Sequence, residues 1–384
     1  MTSDSLLEIG RTDRFLAGLN EWVALESPTH DAAAVNRLTD KVAAEYAALG
    51  GICERIPGRD GRGDHLIVRA PWGDSGQRGV LCLAHLDTVH PVGMLQRNPI
   101  RTEGGRAYGP GINDMKAGGH AAFASFRALI EANRRTPLPI TFLYVSDEET
   151  GSVTARTVIE AEAQRSRYAL VLEAGRAGGR VVTSRKGVAM YTMEVQGRPA
   201  HAGGAHTEGR SAVRELAHQV LALEAMTDYA RGVTLNVGRV EGGTATNVVP
   251  EHASCAIDLR VPSQADAEEF DARIRGLGPV TPDVTLTVTG GLNRAPYRKA
   301  DRPDIAALFE QARRLAAGIG FALEDLPSGE KSGGSDGQFC VPYCAVLDGL
   351  GPYGGGSHTA GEWLDLETIP RRGNLILHLL QALR

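Results

Sequence analysis

Short, almost wholly apolar segments alternate with amphipathic helical stretches through the first half of the chain. The segments rich in valine, isoleucine and leucine are His65 to Ala70, Val80 to Ala84, Ile140 to Val145 and Tyr168 to Leu172. Strands that are apolar on both sides need helices on both faces of their sheet, and a helical stretch from about Gly119 to Ala132 lies between two of them. The pattern predicts an α/β domain in which helices cover a mixed sheet.

The order of the predicted elements changes after about residue 186. The next elements follow the β-α-β-β-α-β order of a split ferredoxin-like unit. They are Val188 to Val195, Gly209 to Thr227, Val233 to Val240, Ser254 to Val261, Gln264 to Gly276 and Val284 to Thr289. Glycine, proline and polar residues at 290–296 mark the end of this unit, and long helices and a last strand near Ala345 to Leu347 follow. We expect a ferredoxin-like α+β domain, residues 187–297, inserted into a larger domain, residues 1–186 and 298–384.

Charge and composition narrow the class of protein. The formal net charge of −5, from 41 basic and 46 acidic residues, gives no electrostatic reason to expect a nucleic acid or an acidic membrane as a partner. No segment approaches the roughly eighteen uninterrupted apolar residues of a membrane span, and the charged N-terminal residues do not resemble a signal peptide. The five cysteines predict reduced thiols. These features predict a cytoplasmic protein.

A histidine and an aspartate follow the second of the apolar segments. The strand Val80 to Ala84 continues into His85-Leu86-Asp87. Because side chains alternate along an extended chain, His85 and Asp87 point the same way. This spacing suits a metal-bound imidazole that is oriented by a carboxylate.

Further carboxylates and a second histidine recur at comparable positions. Glu148 and Glu149 follow the strand that ends at Ser146 and face differently, so one could bind a metal while the other stays free as a base. The remaining candidates follow a strand or lie on a glycine-rich loop, and are Glu173, Asp114 and His358. A single acidic residue after a strand is usually a solvated turn or a helix cap. Two histidines and three carboxylates at one sheet edge instead match the ligands that a pair of zinc-like ions prefers.

Eight segments resemble, in the same order, those of the zinc-dependent exopeptidases and amidases, a family that includes glutamate carboxypeptidase, acetylornithine deacetylase, succinyl-diaminopimelate desuccinylase and aminoacylase. They are LAHLDTV (Leu83 to Val89), AYGPGINDMKAGG (Ala107 to Gly119), SDEETGS (Ser146 to Ser152), LEAG (Leu172 to Gly175), GRPAHAG (Gly197 to Gly203), TNVVP (Thr246 to Pro250), GGSDG (Gly333 to Gly337) and GGSHTAGEW (Gly355 to Trp363). They span most of the chain and are most similar to glutamate carboxypeptidase.

The resemblance implies a dinuclear zinc site. It implies that His85, Asp114 and Glu173 hold one Zn²⁺, that Asp114, Glu149 and His358 hold the other, and that Asp114 bridges the two. Co²⁺ or Mn²⁺ can replace zinc in such sites. At each ligand position of the family, this sequence has a residue that can bind the metal.

Two further residues match the catalytic carboxylates of the family. Glu148 matches the general base, which takes a proton from a metal-bridging water as that water attacks the amide carbonyl, and returns the proton to the leaving amine. Asp87 matches the carboxylate that orients and polarises His85.

The same resemblance implies that the inserted domain is a lid and dimerisation domain. His201 would stabilise the oxyanion of the tetrahedral intermediate, and in relatives this histidine can come from the partner subunit. Arg260 would pair with the α-carboxylate of the substrate, and Asn247 could hydrogen-bond the same end. The simpler alternatives are a histidine that caps a local turn and an arginine in a surface ion pair.

The expected activity is that of a zinc metallopeptidase of the carboxypeptidase type. It would cleave an amide or peptide bond next to a free carboxylate, and release a C-terminal glutamate or a similar amino acid from an N-acyl amino acid or a short peptide. The alternatives are an N-acyl amino acid deacylase of the acetylornithine or succinyl-diaminopimelate type, an amidase for an unusual small acid conjugate, and a non-catalytic homologue. We expect a homodimer joined through the lid domain.

Two glycine motifs suggest other functions. Gly349 to Gly354 has the G-x-G-x-x-G spacing of a dinucleotide site, but no helix is predicted after it. Gly333 to Gly337 has the G-x-S-x-G spacing of a serine hydrolase, and Asp348 and His358 follow in triad order, but residues 328–332 before it are polar rather than a buried strand. A serine hydrolase is therefore the second enzyme class to consider. The remaining histidines are interpreted as structural or surface residues; they are His30, His65, His90, His120, His206, His218, His252 and His378.

Overall fold

The protein divides into two compact units. The structure, a computed structural model, describes Ile9 and residues 12–74, 76–326 and 333–384. The division applies to the described residues only. Those within Met1–Thr183, Arg298–Pro327 and Ser335–Arg384 form the larger unit, and those within Ser184–Tyr297 and Ser328–Gly334 form the smaller unit.

The helices and strands are numbered in chain order. The helices are α1 Thr12–Val23, α2 Ala32–Ala48, α3 Ala117–Glu131, α4 Arg156–Gln164, α5 Ala212–Glu224, α6 Gln264–Arg275, α7 Pro303–Gly318, α8 Gly337–Cys340 and α9 Thr368–Ala382. The strands are β1 Ile52–Ile56, β2 His65–Arg69, β3 Gly79–His85, β4 Arg101–Glu103, β5 Arg106–Tyr108, β6 Ile140–Val145, β7 Ser166–Val171, β8 Ala174–Gly175, β9 Arg180–Val181, β10 Ser184–Arg185, β11 Gly187–Gln196, β12 Thr234–Gly242, β13 His252–Val261, β14 Thr285–Arg294, β15 Tyr297–Arg298, β16 Glu324–Asp325, β17 Ala345–Leu347, β18 Gly351–Gly355 and β19 Trp363–Asp365.

A mixed sheet forms the centre of the larger unit. Its strand order is β1-β2-β6-β3-β7-β17. The strands β6, β3, β7 and β17 are parallel, and β1 and β2 pair antiparallel at one edge. The carboxyl ends of β6, β3 and β7 therefore lie side by side at the same edge of the sheet.

Alternation along the central strand explains why helices cover both faces. Val80, Cys82 and Ala84 of β3 are buried in one apolar core with residues of α1, α2, α3, α7 and α9. Leu81 and Leu83 lie in a separate core with residues of α4 and α8. Because successive side chains point to opposite faces, a strand with apolar side chains at successive positions needs both layers.

The smaller unit is an antiparallel sheet with helices on one face. Its strand order is β12-β13-β11-β14. Alternate side chains of β11, such as Tyr191 and Met193, are buried in a core with residues of α5 and α6, whereas Met190 is exposed. The element order is the predicted β-α-β-β-α-β order. The predicted fold class, a helix-covered mixed sheet with a ferredoxin-like α+β insertion, is confirmed.

Two predictions about the strands are wrong. The strand at Ala345–Leu347 is not the last, since β18 and β19 follow it. The strand β14 continues through Gly290 to Arg294, although glycines were expected to end it. Gly290 has a φ of 93°, and a Cβ atom there would lie 2.1 Å from the backbone oxygen of Met190, so this position of the ladder needs glycine.

One further prediction concerns membranes. Among the residues that the structure describes, no helix combines the length and the apolar character that a membrane crossing needs.

Candidate active site

Three neighbouring parallel strands carry candidate ligands at their carboxyl ends. The central strand β3 ends at His85, and its neighbours β6 and β7 lead into Glu149 and Glu173. His85 Nε2 lies 3.9 Å from Glu173 Oε1. The strand ends thus bring together residues that are far apart in the sequence, as the sheet-edge argument predicts.

Asp114 lies between the two candidate histidines. Its Oδ1 atom is 3.2 Å from His85 Nε2, and its Oδ2 atom is 3.3 Å from His358 Nε2. His358 Nε2 is also 3.3 Å from Glu149 Oε2. Each oxygen of one carboxylate therefore faces a different histidine, which is the arrangement that a bridging ligand needs.

The ring of His85 is oriented by the backbone of Asp87. His85 Nδ1 donates a hydrogen bond to the backbone oxygen of Asp87 at 2.8 Å, and the nearer carboxylate oxygen of Asp87 is 3.5 Å from the same nitrogen. Nδ1 therefore carries a proton, and Nε2 is the nitrogen that faces the carboxylates. A contact between His85 and the carboxylate of Asp87 was expected, but the group of Asp87 at hydrogen-bond distance is its backbone carbonyl.

The carboxylate of Asp87 instead holds the turn that follows β6. It accepts hydrogen bonds from the backbone amides of Glu148 and Glu149, both at 3.2 Å, and from Thr29 Oγ1 at 2.7 Å. Asp87 is fully buried, and Glu148 and Glu149 begin a short 3-10 turn, Glu148–Thr150. Asp87 thereby connects the end of β3 to the turn that carries the candidate base.

His358 lies on a constrained backbone. Its φ is 65°, in the left-handed region that residues other than glycine rarely adopt, and Gly356 before it also has a positive φ of 72°. The hydroxyl of Ser357 accepts a hydrogen bond from Asn113 Nδ2 at 2.8 Å, which connects the His358 loop to the Asp114 loop. Strained conformations of this kind concentrate at functional sites.

Close packing of these groups shifts their pKa values. Hydrogen bonds to Asp114 and Glu149 raise the pKa of His358 to about 10. Burial by itself would lower the pKa of His85, but the hydrogen bonds to Asp114 and Asp87 outweigh it, and the pKa is raised well above its usual value. Burial would raise the pKa of Asp114, whereas the hydrogen bonds with both histidines hold it below its usual value. The cluster therefore carries charges that compensate one another.

The donor set fits a metal ion. Donor atoms of His85, Asp114 and Glu149 all lie within 4.8 Å of one another. Glu149 Oε1 is buried and accepts no hydrogen bond within the described part of the chain. Imidazole nitrogens and carboxylate oxygens are common zinc ligands, and a buried carboxylate oxygen without a donor is open to a cation.

Two residues at this site were missed by sequence reasoning. The buried carboxylate of Glu362 accepts hydrogen bonds from the backbone of the Asp114 loop, and the buried ring of His90 donates to it. Glu362 lies four residues after His358 in the GGSHTAGEW segment, which was the only available signal. No local pattern distinguishes His90.

The predicted substrate-binding residues belong to the smaller unit. His201 Nδ1 accepts hydrogen bonds from the amides of Gly203 and Gly204, both at 3.1 Å. Arg260 donates through Nε and Nη2 to the two carboxylate oxygens of Asp258 at 2.6 and 2.8 Å. The local turn and the ion pair that were the simpler alternatives are thus both present, and the roles of His201 and Arg260 stay predictions.

The turns of His201 and Asn247 are neighbours. Ala202 donates its amide hydrogen to the backbone oxygen of Asn247 at 3.0 Å, and His201 pairs with Val248 in an isolated antiparallel bridge. Asn247 is exposed.

The two glycine motifs that suggested other functions lack the geometry that those functions need. The strand β18 begins at Gly351, inside the G-x-G-x-x-G match, so no helix N-terminus is available there for a pyrophosphate. Ser335 of the G-x-S-x-G match is fully buried and donates its hydroxyl to Asp348 Oδ2 at 2.5 Å. The polar residues 328–332 before that motif lie outside the described residues. All five cysteines are free.

Comparisons with known proteins identify relatives along most of the chain. The model of the family described as peptidase family M20/M25/M40 matches residues 81–382. The chain is 29% identical over 376 residues to carboxypeptidase G2 of Pseudomonas sp. (strain RS-16), a match that covers 95% of this chain and 88% of that protein. It is 26% identical over 356 residues to succinyl-diaminopimelate desuccinylase of Burkholderia ambifaria (strain MC40-6), which covers 88% and 91%.

Solved structures show the same fold. Aminopeptidase PepT from Bacillus cereus has a TM-score of 0.72 at 23% identity, and the match covers 97% of this chain and 99% of that one. The M20 family metallo-carboxypeptidase Sso-CP2 from Sulfolobus solfataricus has a TM-score of 0.71 at 18% identity, and the match covers 96% and 99%. The resemblance that the sequence motifs predicted is confirmed. Since the family model extends over all the candidate ligands from His85 to His358, the chain belongs to peptidase family M20/M25/M40 and is a metal-dependent hydrolase of peptide or amide bonds.

Proposed function

We propose that this protein is a dinuclear zinc hydrolase that cleaves an amide or peptide bond next to a free carboxylate and releases a C-terminal glutamate or a similar amino acid. The observation that carries the proposal is the position of Asp114, whose two oxygens lie 3.2 and 3.3 Å from two different histidines. A single-metal site would not need a carboxylate shared in this way.

The distances between the candidate donor atoms support two ligand sets. His85, Asp114 and Glu173 would hold one Zn²⁺, and Asp114, Glu149 and His358 would hold the other, with Co²⁺ or Mn²⁺ as replacements. When bound, the ions would polarise the scissile carbonyl and make the attacking water more acidic.

Glu148 is proposed as the general base. Its backbone amide is held by Asp87 Oδ1, and it directly precedes the ligand Glu149 on the 3-10 turn, so the turn that places the ligand also places the base. The Glu148 carboxylate would accept a proton from the attacking water and transfer it to the amine nitrogen as the carbon–nitrogen bond breaks.

His201 and Arg260 are proposed to bind the substrate. Since His201 Nδ1 accepts two backbone hydrogen bonds, its proton lies on Nε2, which can donate to the oxyanion of the tetrahedral intermediate. The Nε and Nη2 edge of Arg260 is paired with Asp258, so its Nη1 edge would meet the α-carboxylate of the substrate. Asn247 is exposed on a turn that is hydrogen-bonded to the His201 turn, and we propose that it binds the same α-carboxylate.

The smaller unit is also proposed to join two copies of the chain as a homodimer. Leu221 and Val213 on α5 and Val240 on the edge strand β12 are large apolar side chains exposed at 72%, 41% and 56%. Exposed apolar side chains mark a protein–protein contact when they form a contiguous patch, and these three are proposed to form part of one. Sedimentation of the purified protein should give the mass of two chains, and a single-chain mass would contradict this part of the proposal.

A second candidate activity is an N-acyl amino acid deacylase. It is favoured by the relative named succinyl-diaminopimelate desuccinylase, to which the chain is 26% identical over 356 residues. Both activities use the same metal site and differ in the groups around the scissile bond.

The decisive experiment compares substrates and metals together. Turnover of N-acylglutamates, N-acetylornithine and succinyl-diaminopimelate is measured with purified protein before and after chelation, and again after adding Zn²⁺, Co²⁺ or Mn²⁺. We expect the highest turnover with N-acylglutamates, its loss on chelation and its recovery with metal. Turnover that is unchanged by chelation would contradict the proposed mechanism, and preference for another substrate would contradict the proposed specificity.

A further inference from the structure

A buried carboxylate, that of Glu362, contacts three backbone amides in the loop that carries Asp114. Its Oε1 accepts hydrogen bonds from the amides of Asn113 at 2.8 Å and Asp114 at 2.9 Å, and its Oε2 accepts one from the amide of Gly111 at 2.8 Å. The backbone amide of Asp114 thus donates a hydrogen bond directly to the side chain of Glu362.

A histidine completes the contacts of this carboxylate. His90 Nε2 lies 2.7 Å from Glu362 Oε2, and because an ionised carboxylate only accepts, His90 donates. Glu362 is 0% exposed and His90 is 5% exposed. A buried carboxylate is costly unless donors surround it, and here four N–H groups do so.

The loop needs these hydrogen bonds because its backbone is irregular. Residues Ile112–Lys116 form a wide π-type turn in which Asp114 has non-helical φ and ψ of −120° and 93°. Gly111, at the start of the turn, has a φ of 69°. Backbone oxygens accept the amides of Ile112 and Lys116, whereas the amides of Asn113 and Asp114 between them donate to Glu362.

An amide side chain could not replace this carboxylate. Glutamine offers one acceptor oxygen, and its NH₂ group would face N–H donors that need an acceptor. The contacts therefore depend on both oxygens, and the direction in which the Asp114 side chain leaves the backbone depends on the contacts.

We infer that Glu362, with His90 as its donor, is a positioning residue that fixes Asp114 so that its two carboxylate oxygens face two metal ions. The inference rests on the proposed function, since it assigns Asp114 as the bridging ligand. It assigns no contact of Glu362 with substrate or metal. Glu362 acts through the backbone amide of Asp114.

The test measures metal binding by the full chain rather than activity alone. Zinc affinity is measured by competition with a chromophoric chelator, and the ligand field is read from the absorption spectrum of the Co²⁺-loaded protein. We expect Glu362→Gln to lose zinc affinity by about 10–100-fold and to change the Co²⁺ spectrum, as removal of outer-shell partners typically does. Glu362→Asp keeps the charge but shortens its reach, and should lose less affinity.

Glu162→Gln is the matched control. Glu162 is also buried in the larger unit, and its carboxylate accepts two hydrogen bonds from Arg69, each at 2.8 Å. If burial and hydrogen bonding alone mattered, this variant would behave as Glu362→Gln does. We expect it to unfold more easily while its zinc affinity and Co²⁺ spectrum stay those of the wild type.

The outcomes separate the inference from the proposed function. Wild-type zinc affinity and Co²⁺ spectrum in both Glu362 variants would overturn the inference, and if Glu362→Gln does not fold, Glu362→Asp decides alone. Equal loss of affinity in Glu162→Gln would overturn it as well. Failure of the wild-type protein to bind two ions would instead contradict the proposed function.

Discussion

The candidate residues of the larger unit and those of the smaller unit are held in different ways. The side chain of Asp114 contacts both His85 and His358, so each of these candidate ligands has another candidate ligand as a partner. His201 and Arg260 instead contact their own sequence neighbours, Gly203 and Asp258. Mutual contact between residues from distant parts of the chain is itself evidence of a site. A residue whose partners are local can be assigned only by changing it.

The largest expected effect concerns the proposed general base in the larger unit. Glu148→Gln keeps the size of the side chain but removes the proton acceptor, so kcat should fall by about 10²–10⁴-fold, the usual contribution of general acid–base catalysis. Zinc content, measured by elemental analysis, should stay at the wild-type value. The matched variant Glu149→Gln should lose zinc. If Glu148→Gln loses the metal instead, the two neighbouring glutamates have the opposite roles.

The next effect tests whether a residue with local partners is functional. His201→Ala should lower kcat by about 10²–10³-fold, as the loss of one oxyanion donor does. His206 lies five residues later and serves as the control, because His206→Ala should keep its kcat. A wild-type kcat in His201→Ala would contradict a catalytic role and show that His201 only stabilises its local turn.

If the proposed homodimer forms, mixed dimers of His201→Ala and Glu148→Gln would show which subunit supplies the histidine. Activity that reappears on mixing means that His201 acts across the dimer. Mixtures that stay inactive mean that it acts within its own subunit.

A smaller effect is expected from the arginine of the smaller unit. Arg260→Lys keeps the charge but loses the planar fork, so KM should rise by about tenfold with little change in kcat, because charge-assisted bidentate pairs are the stronger ones. Arg239→Lys is the control, since Arg239 on β12 pairs with Glu241 at the surface. An equal rise in KM for both variants would contradict a specific role for Arg260.

The smallest expected effect concerns the pH dependence of stability and comes from a buried histidine of the larger unit, His120. His120 is packed against the rings of Phe15 and Trp22, and neither of its ring nitrogens has a hydrogen-bond partner among the described residues. Burial lowers its pKa to about 3, against an ordinary value of 6.5. The unfolded chain therefore binds a proton that the folded chain does not, and stability falls as the pH drops from 6.5 toward 3.

The expected slope is about 1.4 kcal/mol per pH unit in the free energy of unfolding. Denaturant titrations of the wild type and His120→Leu at pH 7 and pH 5 measure it. The variant should lose less stability than the wild type between the two values. Equal losses would show that His120 does not stay neutral in the core.

Sequence reasoning succeeded where a local pattern determines the structure. The apolar run Ile140–Val145 became β6 with those bounds, and buried parallel strands placed His85 and Glu173 at one edge. The fold class followed from the same alternation.

Long-range hydrogen bonds could not be predicted in this way. The contact between Glu362 and the Asp114 amide joins residues 248 positions apart, and no periodicity marks it. The helix α4, Arg156–Gln164, was missed, and the contact of His85 with the backbone oxygen of Asp87 depends on how the chain bends after β3. Such details depend on tertiary structure rather than on local sequence.

The most direct test of the central claim is the structure of the protein crystallised with excess zinc, with the ions located by anomalous scattering. We predict two zinc ions about 3.5–4 Å apart, each bound by a different oxygen of Asp114, with His85 and Glu173 on one ion and Glu149 and His358 on the other. A single ion, or two ions that do not share Asp114, would contradict the account.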